Sequence, residues 1–423
     1  MNGLRQRLES EILGLPAIDC HSHVQAASPH ARTLGDLLGY HYYTELAHSA
    51  GMPAEAVGPG RSQEERSAEM VRRLATIDNT VQYGWLMEAA RTLFGFEADR
   101  LTPENWSSLA DDVARAGRQP KRYREVLRRS NIEKVFLTNA FDEDLGGIDP
   151  VFVPCLRTDD LVFRLGDASV RDRLAEKTGV EVGSAADLRQ AVAALFEYFA
   201  GHGAASAAVS LPPRFAPEKP DEAAAGKALG AAVAGKDLEA GQAEALERFA
   251  FDAVAAGCRE ANKPFQLMIG VYRNVYPAGV EGGRDLLSSE GSLLQYADLF
   301  RRYPEVDFTV SVLSTAWAHE LATFAWIMPN VKPSGHWWYS NVPVHIEAEL
   351  RARLQAVPKV KLIGYYSDMY KVEFGLPKFN MYRRVLARVL AEDFVEPGAM
   401  TEDAAVDTAR LLLYDNPKRI FGV

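Results

Sequence analysis

Two histidines near the N-terminus have the spacing of a metal-binding pair. His21 and His23 follow a short apolar run at residues 15–19, and alternate residues of a strand point to the same side. Both imidazoles can therefore bind one ion, and neutral imidazole suits Zn, Fe, Ni or Mn. Two unrelated surface histidines are the alternative interpretation. The position at a predicted strand end favours the metal site.

A carboxylate follows the last apolar run of the chain. Residues 360–366 lead into Ser367 and Asp368. If this run is the eighth strand of a closed barrel, it lies beside the first strand. Asp368 then reaches the same metal, or acts as a general base next to it. An aspartate that caps the following helix is the alternative interpretation.

Further polar and aromatic residues follow other predicted strands and point toward the same end of a barrel. They are Arg157 after the third run, Arg273 and Asn274 after the fifth, and His336, Trp337 and Trp338 after the seventh. Paired arginines bind carboxylate or phosphate groups through bidentate contacts. A structural ion pair is the alternative for each arginine taken singly.

The elements that must position these residues alternate along the chain. Short apolar runs are separated by longer segments with helical periodicity, which is the pattern of βαβ units. The runs lie at residues 15–19, 134–138, 151–156, 204–211, 265–271, 307–313, 330–333 and 360–366. Eight alternations predict an α/β fold, a (β/α)8 barrel with its catalytic residues at the C-terminal ends of the strands.

The chain is longer than a plain barrel of about 250 residues requires. We expect residues 1–423 to form a single barrel domain that contains two large additions. Residues 33–129 are rich in helix formers and aromatic residues, which predicts a helical insertion after the first strand. Residues 172–260 are rich in Ala and Gly and predict helices joined by loops. Arg383 and Arg384 are expected on a solvated helix face.

The composition excludes several classes of function. The 423 residues include 47 Lys+Arg and 57 Asp+Glu, a net charge of −10, which argues against a nucleic-acid partner. No apolar run of about 18 residues predicts a membrane span, and the N-terminus lacks a signal peptide's apolar core, so we expect a cytoplasmic protein. Cys20, Cys155 and Cys258 are too few for a disulfide framework or a cysteine-based zinc site. Any metal must use histidines and carboxylates.

Five ordered motifs together resemble the amidohydrolase superfamily and, within it, the uronate (glucuronate) isomerase family, over nearly the whole chain. The His-x-His of residues 21–23 is similar to that family's first-strand motif. Residues 39–43 resemble its Asp-His-Tyr-Lys segment, and residues 265–274 its Gln-Leu-His-x-Gly-Ala-x-Arg-Asn stretch. Residues 337–339 resemble its Trp-Trp-Phe, and 367–368 its Thr-Asp-Ser-Arg. Residues 382–386 and 416–421 also fit.

The resemblance implies aldose–ketose isomerisation of a hexuronate of the glucuronate/fructuronate type. It implies one divalent metal ion at His21, His23 and Asp368, with Zn preferred and Mn, Fe or Ni open. Asp368 is the expected base, with weak or water-bridged coordination, and the metal the expected stabiliser of the enediolate. His41 and Tyr42 are expected to bind hydroxyls or shuttle a proton. The expected substrate-binding residues are Arg157, Arg273, Asn274, His336, Trp338 and Lys371.

Several polar positions of the family pattern are replaced in this sequence. Met268 stands where the family has a strand-five histidine. Tyr370 stands at the arginine of Thr-Asp-Ser-Arg, with Lys371 adjacent to replace the charge. The family's Thr-Asp-Asp-Pro becomes Thr-Asn-Ala-Phe at residues 138–141, and a polar Ser-Asp-His region becomes Ala-Val-Ser-Leu at residues 208–211. These departures leave open a less hydroxylated substrate or a different reaction.

Three other functions remain as alternatives. In a metal-dependent hydrolase the metal activates water and Asp368 takes its proton, but Met268 disfavours the binuclear form. A decarboxylase or hydratase acting on a small carboxylated substrate would use His336 as its extra polar group. A non-catalytic barrel that binds sugar acids is disfavoured by the triad. The expected partner is a small sugar acid or other carboxylate, with no nucleic acid and no membrane, and a homo-oligomer is open.

Overall fold

The computed structural model describes residues 2–423, in which parallel strands alternate with helices. The strands are β1 (Ala17–Asp19), β2 (Ile132–Phe136), β3 (Asn139–Ala140), β4 (Phe152–Val153), β5 (Cys155–Arg157), β6 (Ser206–Leu211), β7 (Phe265–Ile269), β8 (Val271–Tyr272), β9 (Leu286–Leu287), β10 (Phe308–Val312) and β11 (Val331–Pro333). The first seven predicted runs are confirmed, with ends that shift by at most two residues. The third of them is divided into two short strands.

Most of the remaining chain is helical. The helices are α1 (Asn2–Leu13), α2 (Leu34–Leu38), α3 (His41–Ser49), α4 (Gln63–Arg73), α5 (Val81–Phe94), α6 (Trp106–Gly117), α7 (Arg122–Arg129), α8 (Asp159–Phe163), α9 (Ala168–Thr178), α10 (Ala185–Gly201), α11 (Glu222–Val233), α12 (Ala240–Glu260), α13 (Ala297–Arg302), α14 (Ala318–Ile327), α15 (Pro343–Ala356), α16 (Gly375–Leu390), α17 (Glu402–Arg410) and α18 (Asn416–Phe421). Helices α2 to α7 lie between β1 and β2. No described helix combines the length and the apolar composition needed to cross a bilayer.

Two parallel sheets together form the barrel wall. Their strand orders are β1-β2-β4 and β3-β5-β6-β7-β10-β11. The chain passes from the first sheet to the second between β2 and β3 and again between β4 and β5. Pro154 lies at the second crossing, where a residue without an N–H interrupts the ladder. The strand pairs β2/β3 and β4/β5 thus occupy the second and third barrel positions.

The eighth barrel position closes without a regular strand, so the prediction of a strand at residues 360–366 is wrong. A 3₁₀ turn occupies Lys359–Lys361, and a single bridge joins Ile363 to Ser334. Backbone hydrogen bonds then reach the first strand: Asp368 N–H donates to the His21 carbonyl at 3.1 Å, and His23 N–H to that of Met369 at 2.8 Å. The positive φ of Asp368, 54°, is incompatible with a continuing strand.

Helix α16 packs between α1 and α15 on the outside of the barrel and corrects one expectation about its arginines. Arg384 is partly exposed and pairs with Glu88 at 3.0 Å, as expected for a helix surface. Arg383 is instead buried. Its guanidinium donates to the carbonyls of Ser130 at 3.1 Å and Leu15 at 2.8 Å. Arg383 therefore satisfies backbone groups that the ends of strands and helices leave without partners.

Candidate metal centre and active site

The two histidines of β1's C-terminal end and the aspartate of the eighth position meet at one point. In the described part of the chain, His21, His23 and Asp368 form the one group of His, Cys, Asp or Glu side chains able to hold a metal ion, with one ligand atom from each residue within 4.8 Å of the others. His21 Nε2 lies 3.9 Å and His23 Nε2 3.3 Å from Asp368 Oδ1. The structure thus brings together the triad predicted from the sequence.

Hydrogen bonds fix the ring orientation of His23. The Thr138 hydroxyl donates to the Ser22 carbonyl at 3.0 Å, so it accepts from His23 Nδ1–H at 2.8 Å. This leaves His23 Nε2 facing the Asp368 carboxylate. A metal cation between His23 Nε2 and the carboxylate would satisfy both atoms. A hydrogen bond from the other ring nitrogen, such as the one from His23 Nδ1–H to Thr138, is typical of a metal-bound histidine.

His21 provides the strongest evidence that the residues fit a metal ion. Its side chain is 3% exposed, yet neither ring nitrogen has a hydrogen-bond partner, and Asp368 Oδ1 has none either. Burial lowers the pKa of His21 to about 3, so the ring is neutral and has a free lone pair at neutral pH. Buried polar atoms without partners are rare in native proteins, and a divalent cation would satisfy them.

Asp368 is held from both sides. Its Oδ2 accepts from the Tyr42 hydroxyl at 2.6 Å, and its carbonyl accepts from the Tyr40 hydroxyl at 2.8 Å. Burial alone would raise the pKa of Asp368, but the contact with His23 and the charge of Lys378 hold that pKa well below its usual value. Asp368 is therefore a carboxylate with a fixed orientation.

A buried lysine contacts both tyrosines. Lys378 of α16 is fully buried and donates to Tyr40 Oη and to the Ser367 carbonyl, both at 2.7 Å. Its ammonium lies 4.8 Å, 4.9 Å and 4.7 Å from the ring centres of Tyr40, Tyr42 and Trp85. Burial lowers the pKa of Lys378 to about 7. The sequence analysis missed this residue, since a lysine within a helix carries no distinguishing local signal.

A cavity of about 190 Å³ opens above the triad at the C-terminal ends of the strands. It is lined by the triad together with His41, Thr138, Arg157, Asp159, Ala208, Val209, Ser210, Met268, Arg273, Gly282, Asp285, Trp337, Trp338 and Tyr370. A larger cleft of about 630 Å³ adjoins it at His41, Gly282 and Tyr370. The smaller cavity is the candidate active site because it alone contains the triad among the described pockets.

Two arginines lie on the side of the cavity formed by β5 and the segment after β8. Arg157 pairs with Asp159 at 3.2 Å. Arg273 pairs with Asp285 at 2.6 Å and donates to Ser210 Oγ at 3.2 Å. Each guanidinium has five N–H donors, so these contacts leave donors for a ligand. Both arginines line the cavity, and their contact with a substrate carboxylate stays a prediction.

Three residues expected to bind substrate lie away from this cavity. His336 is 1% exposed and faces Glu349 at 3.5 Å, because the chain turns inward at Gly335 and places Trp337 and Trp338 at the cavity instead. Lys371 Nζ donates to the Ser28 carbonyl at 2.7 Å and lines the neighbouring cleft. Asn274 is exposed, and its backbone N–H donates to Asp285 at 2.7 Å. Tyr42 reaches the site through Asp368 rather than by lining the cavity.

The replaced family positions give the cavity an apolar side. Met268 lies near the C-terminal end of β7 and Ala208 in the middle of β6, and both line the cavity beside Val209. Gln266, which is level with Ala208 in the strand register, donates to Ser206 Oγ at 2.8 Å inside the barrel. Tyr370 covers the opposite side, with its ring centre 5.1 Å from that of His23. Polar groups are thus concentrated at the triad and at the arginines.

Comparison with known proteins decides which family shares this arrangement. The sequence profile of the glucuronate isomerase family matches residues 4–421. The chain belongs to the glucuronate isomerase family. That family interconverts aldose and ketose forms of uronates. The uronate isomerase of Rhizorhabdus wittichii is 26% identical over 439 residues, which cover 97% of this chain and 93% of the relative.

Solved structures agree with the fold of the glucuronate isomerase family. The uronate isomerase of Thermotoga maritima matches with a TM-score of 0.91 at 20% identity, over 100% of this chain and 98% of that one. The glucuronate isomerase of Caulobacter crescentus matches with a TM-score of 0.88 at 21% identity, over 99% and 94%. A protein from Lactobacillus casei described as a metal-dependent hydrolase has a TM-score of 0.59 at 11% identity over 98% and 97%. The predicted amidohydrolase-type barrel is confirmed.

Proposed function

We propose that this enzyme interconverts an aldohexuronate and the corresponding ketose at a mononuclear metal site. The observation that carries the proposal is the position of His21, His23 and Asp368 at the base of one cavity, with Arg157 and Arg273 on its wall. A substrate with an aldehyde at one end and a carboxylate at the other could place the aldehyde at the triad and the carboxylate at the two arginines. Membership of the glucuronate isomerase family supports the same reaction.

His21, His23 and Asp368 are the residues that would hold the metal ion. A divalent ion such as Zn supplies positive charge that stabilises an enediolate oxygen. The donor set of two imidazoles and one carboxylate suits Zn, Mn, Fe or Ni. Thr138 fixes the imidazole of His23, and Tyr42 fixes the carboxylate of Asp368.

Asp368 is the group that moves the carbon-bound proton. An aldose becomes a ketose when the hydrogen on C2 transfers to C1. The Asp368 carboxylate is ionised, since its pKa lies well below the usual value, and it accepts this proton before returning it to the neighbouring carbon. The Tyr42 hydroxyl bond to Oδ2 leaves Oδ1 directed toward the histidines and the cavity. One base acting on both carbons is sufficient.

Arg157 and Arg273 bind the substrate carboxylate. Arg157 belongs to β5, which pairs with β6, and Arg273 donates to Ser210 of β6. Both arginines are anchored by acidic partners, Asp159 and Asp285. Anchoring reduces the rotamer freedom that binding would otherwise remove. A carboxylate held here places the opposite end of the substrate toward the triad.

A direct product assay tests this function. Metal-loaded protein is incubated with C1-labelled glucuronate or galacturonate, and carbon NMR follows conversion of the labelled aldehyde carbon to a hydroxymethyl carbon. We expect one of these hexuronates to give the ketose, and the His21→Ala variant to give none. No ketose from either hexuronate, with metal bound and the fold intact, would overturn the proposal and direct attention to hydrolysis of carboxylated esters, amides or lactones.

A further inference from the structure

Glu45 is a buried carboxyl group with no role in the mechanism above. It lies one helical turn after His41 on α3, and both side chains are about 15% exposed. Glu45 Oε1 faces His41 Nε2 at 3.9 Å and has no hydrogen-bond partner. His41 lines the cavity whereas Glu45 lies behind it. The 3.9 Å separation is longer than a hydrogen bond, and catalytic contacts of this kind commonly shorten when substrate binds.

Trp338 connects this pair to Asp368. Its indole N–H donates to Glu45 Oε2 at 3.1 Å, and its backbone N–H donates to the Tyr42 hydroxyl at 2.8 Å. Tyr42 in turn donates to Asp368. Trp338 adopts φ 46°, a left-handed conformation that is costly for an aromatic residue. The fold thus holds a strained backbone at the residue that fixes both carboxyl groups.

The loop between β8 and β9 covers most of Glu45 and leaves its side chain about 15% exposed. Gly283 approaches so closely that a Cβ there would lie 2.5 Å from Glu45 Cγ, and a Cβ at Gly282 would lie 3.0 Å from His41 Cβ. Glycine is therefore required at this contact. Burial raises the pKa of Glu45 to about 7. The hydrogen bond from the Trp338 indole opposes that rise, whereas the negative charge of Asp285 adds to it.

The neighbouring ionisable groups come from three other segments. Asp285 faces Glu45 from the loop, Tyr339 from the turn after β11, and Tyr370 from the eighth barrel position. Burial raises the pKa of both tyrosines well above the usual tyrosine value, and burial lowers the pKa of His41 to about 4. At neutral pH, His41 is therefore neutral and Glu45 is the group close to its midpoint of protonation.

We propose that Glu45 is a positioning residue for His41, and that the two side chains form a dyad that carries a hydroxyl proton between two substrate oxygens. This proposal rests on the proposed isomerase function. It assigns the dyad a task different from that of Asp368, which moves the proton between carbons.

The isomerisation includes a second proton transfer, between the two substrate oxygens. Conversion of aldose to ketose moves one hydrogen from C2 to C1 and one from the C2 hydroxyl to the C1 oxygen. One imidazole nitrogen of His41 accepts the hydroxyl proton while the other nitrogen passes its own proton to the Glu45 carboxylate. Both transfers then reverse, and the proton is delivered to the C1 oxygen. The dyad ends as it began, so no oxidant, reductant or further reactant is needed.

Glu45→Gln is the most direct test. Glutamine keeps an oxygen for the Trp338 indole but has no carboxylate to accept a proton. We expect kcat to fall about 10- to 100-fold while KM stays within about two-fold. Glu247→Gln is the matched control: Glu247 is another glutamate whose pKa burial raises to about 7, but it lies on α12 away from the cavity, and kcat should stay within about two-fold.

A measurement that does not depend on activity separates this proposal from the proposed function. Nitrogen NMR of labelled His41, assigned with His41→Asn, reports which ring nitrogen carries the proton. We expect Glu45→Gln, but not Glu247→Gln, to shift those signals. Unchanged signals, or an unchanged kcat, would overturn the dyad. An inactive wild-type enzyme with shifted signals would overturn the isomerase function and the proton relay, and would leave the positioning contact established.

A double-mutant cycle tests whether His41 and Glu45 act as a unit. If they do, the variant that combines His41→Asn with Glu45→Gln has the same kcat as His41→Asn alone. Losses that multiply would contradict the dyad. If the glutamine variant does not fold, Glu45→Asp replaces it in the same cycle, because aspartate keeps the charge but withdraws it from His41 by one methylene.

Discussion

At the scale of single residues, the sequence predicted the three side chains that could hold a metal ion but not the groups that orient them. His21, His23 and Asp368 follow strand ends in a recognisable pattern, and they meet as expected. Glu45 and Lys378 lie within helices, and only the tertiary packing brings them to the site. His336 failed as a prediction because strand-end position alone does not determine whether a side chain faces the cavity or the protein interior.

Removing the Tyr42 hydroxyl tests how Asp368 is oriented. Tyr42→Phe deletes the donor to Asp368 Oδ2 at 2.6 Å and the acceptor for the Trp338 backbone N–H at 2.8 Å. A lost hydrogen bond to a charged group costs about 1.5–3 kcal/mol, so we expect kcat to fall about 10- to 100-fold. Steady-state kinetics with metal analysis checks this. Full activity at unchanged metal content would contradict the assigned role.

The arginines should affect substrate binding more than chemistry. Arg273→Gln removes the charge that pairs with Asp285 at 2.6 Å and faces the cavity. We expect KM to rise about 10-fold or more, with a smaller change in kcat, since the contact is present in both ground and transition states. Arg164→Gln, in an exposed ion pair with Asp167, is the control. A fall in kcat alone would show that Arg273 acts on the transition state.

At the scale of elements, apolar periodicity identified seven barrel positions and failed at the eighth. The segment after Pro358 is apolar enough for a strand, but a 3₁₀ turn and the positive φ of Asp368 interrupt it. The irregular backbone lets Ser367 contact Asp19 and lets Asp368 point into the cavity. Hydrophobic pattern predicts burial reliably, whereas strand pairing also depends on partners that are distant in sequence.

Glu373 follows the eighth barrel position and joins it to the segment after β1 through Ala31. Its titration predicts a pH-dependent stability. Both of its carboxyl oxygens accept from Ala31 N–H at 3.1 Å, and burial raises its pKa from 4.5 to about 7. The folded state therefore binds a proton more tightly than the unfolded state, and Glu373 lowers stability as pH rises from about 4.5 through 7. Glu373→Gln removes this titration while it keeps an amide oxygen for Ala31.

Urea unfolding at pH 5 and pH 8 measures the effect. From pH 5 to pH 8, the titration of Glu373 should lower the free energy of unfolding of the wild type by on the order of 2 kcal/mol. Glu373→Gln lacks this titration and should not show that loss. The same difference between variant and wild type at both pH values would show that Glu373 is not protonated in the folded state. Both proteins are compared at equal metal occupancy, so that metal binding does not contribute to the difference.

At the scale of the whole molecule, the fold and the family follow from the combination of motifs rather than from any one of them. The eight alternations predicted the barrel, and the family match over residues 4–421 confirms the family resemblance. The division into one barrel domain with two additions stays a prediction from length and composition. The apolar side formed by Met268 and Ala208 distinguishes this cavity from the family pattern, which has polar residues at these positions.

Metal binding should stabilise the entire fold, because the triad joins the first and eighth barrel positions. A metal at about 1,000 times its Kd contributes about 4 kcal/mol. We expect chelation to lower the Tm of the wild type, and calorimetry to show no such change for His21→Ala. An equal Tm for loaded and chelated wild-type protein would contradict a metal site that depends on the folded triad.

Proton transfer to carbon is the central claim, and deuterium incorporation tests it most directly. Metal-loaded enzyme is incubated with an aldohexuronate in deuterated water, with Asp368→Asn in parallel. Asp368 can exchange the proton it removes from C2 with solvent, so proton NMR of the wild-type product should show deuterium at C1 of the ketose, and the variant should show neither product nor label. Ketose formed at wild-type rate by Asp368→Asn would contradict the account.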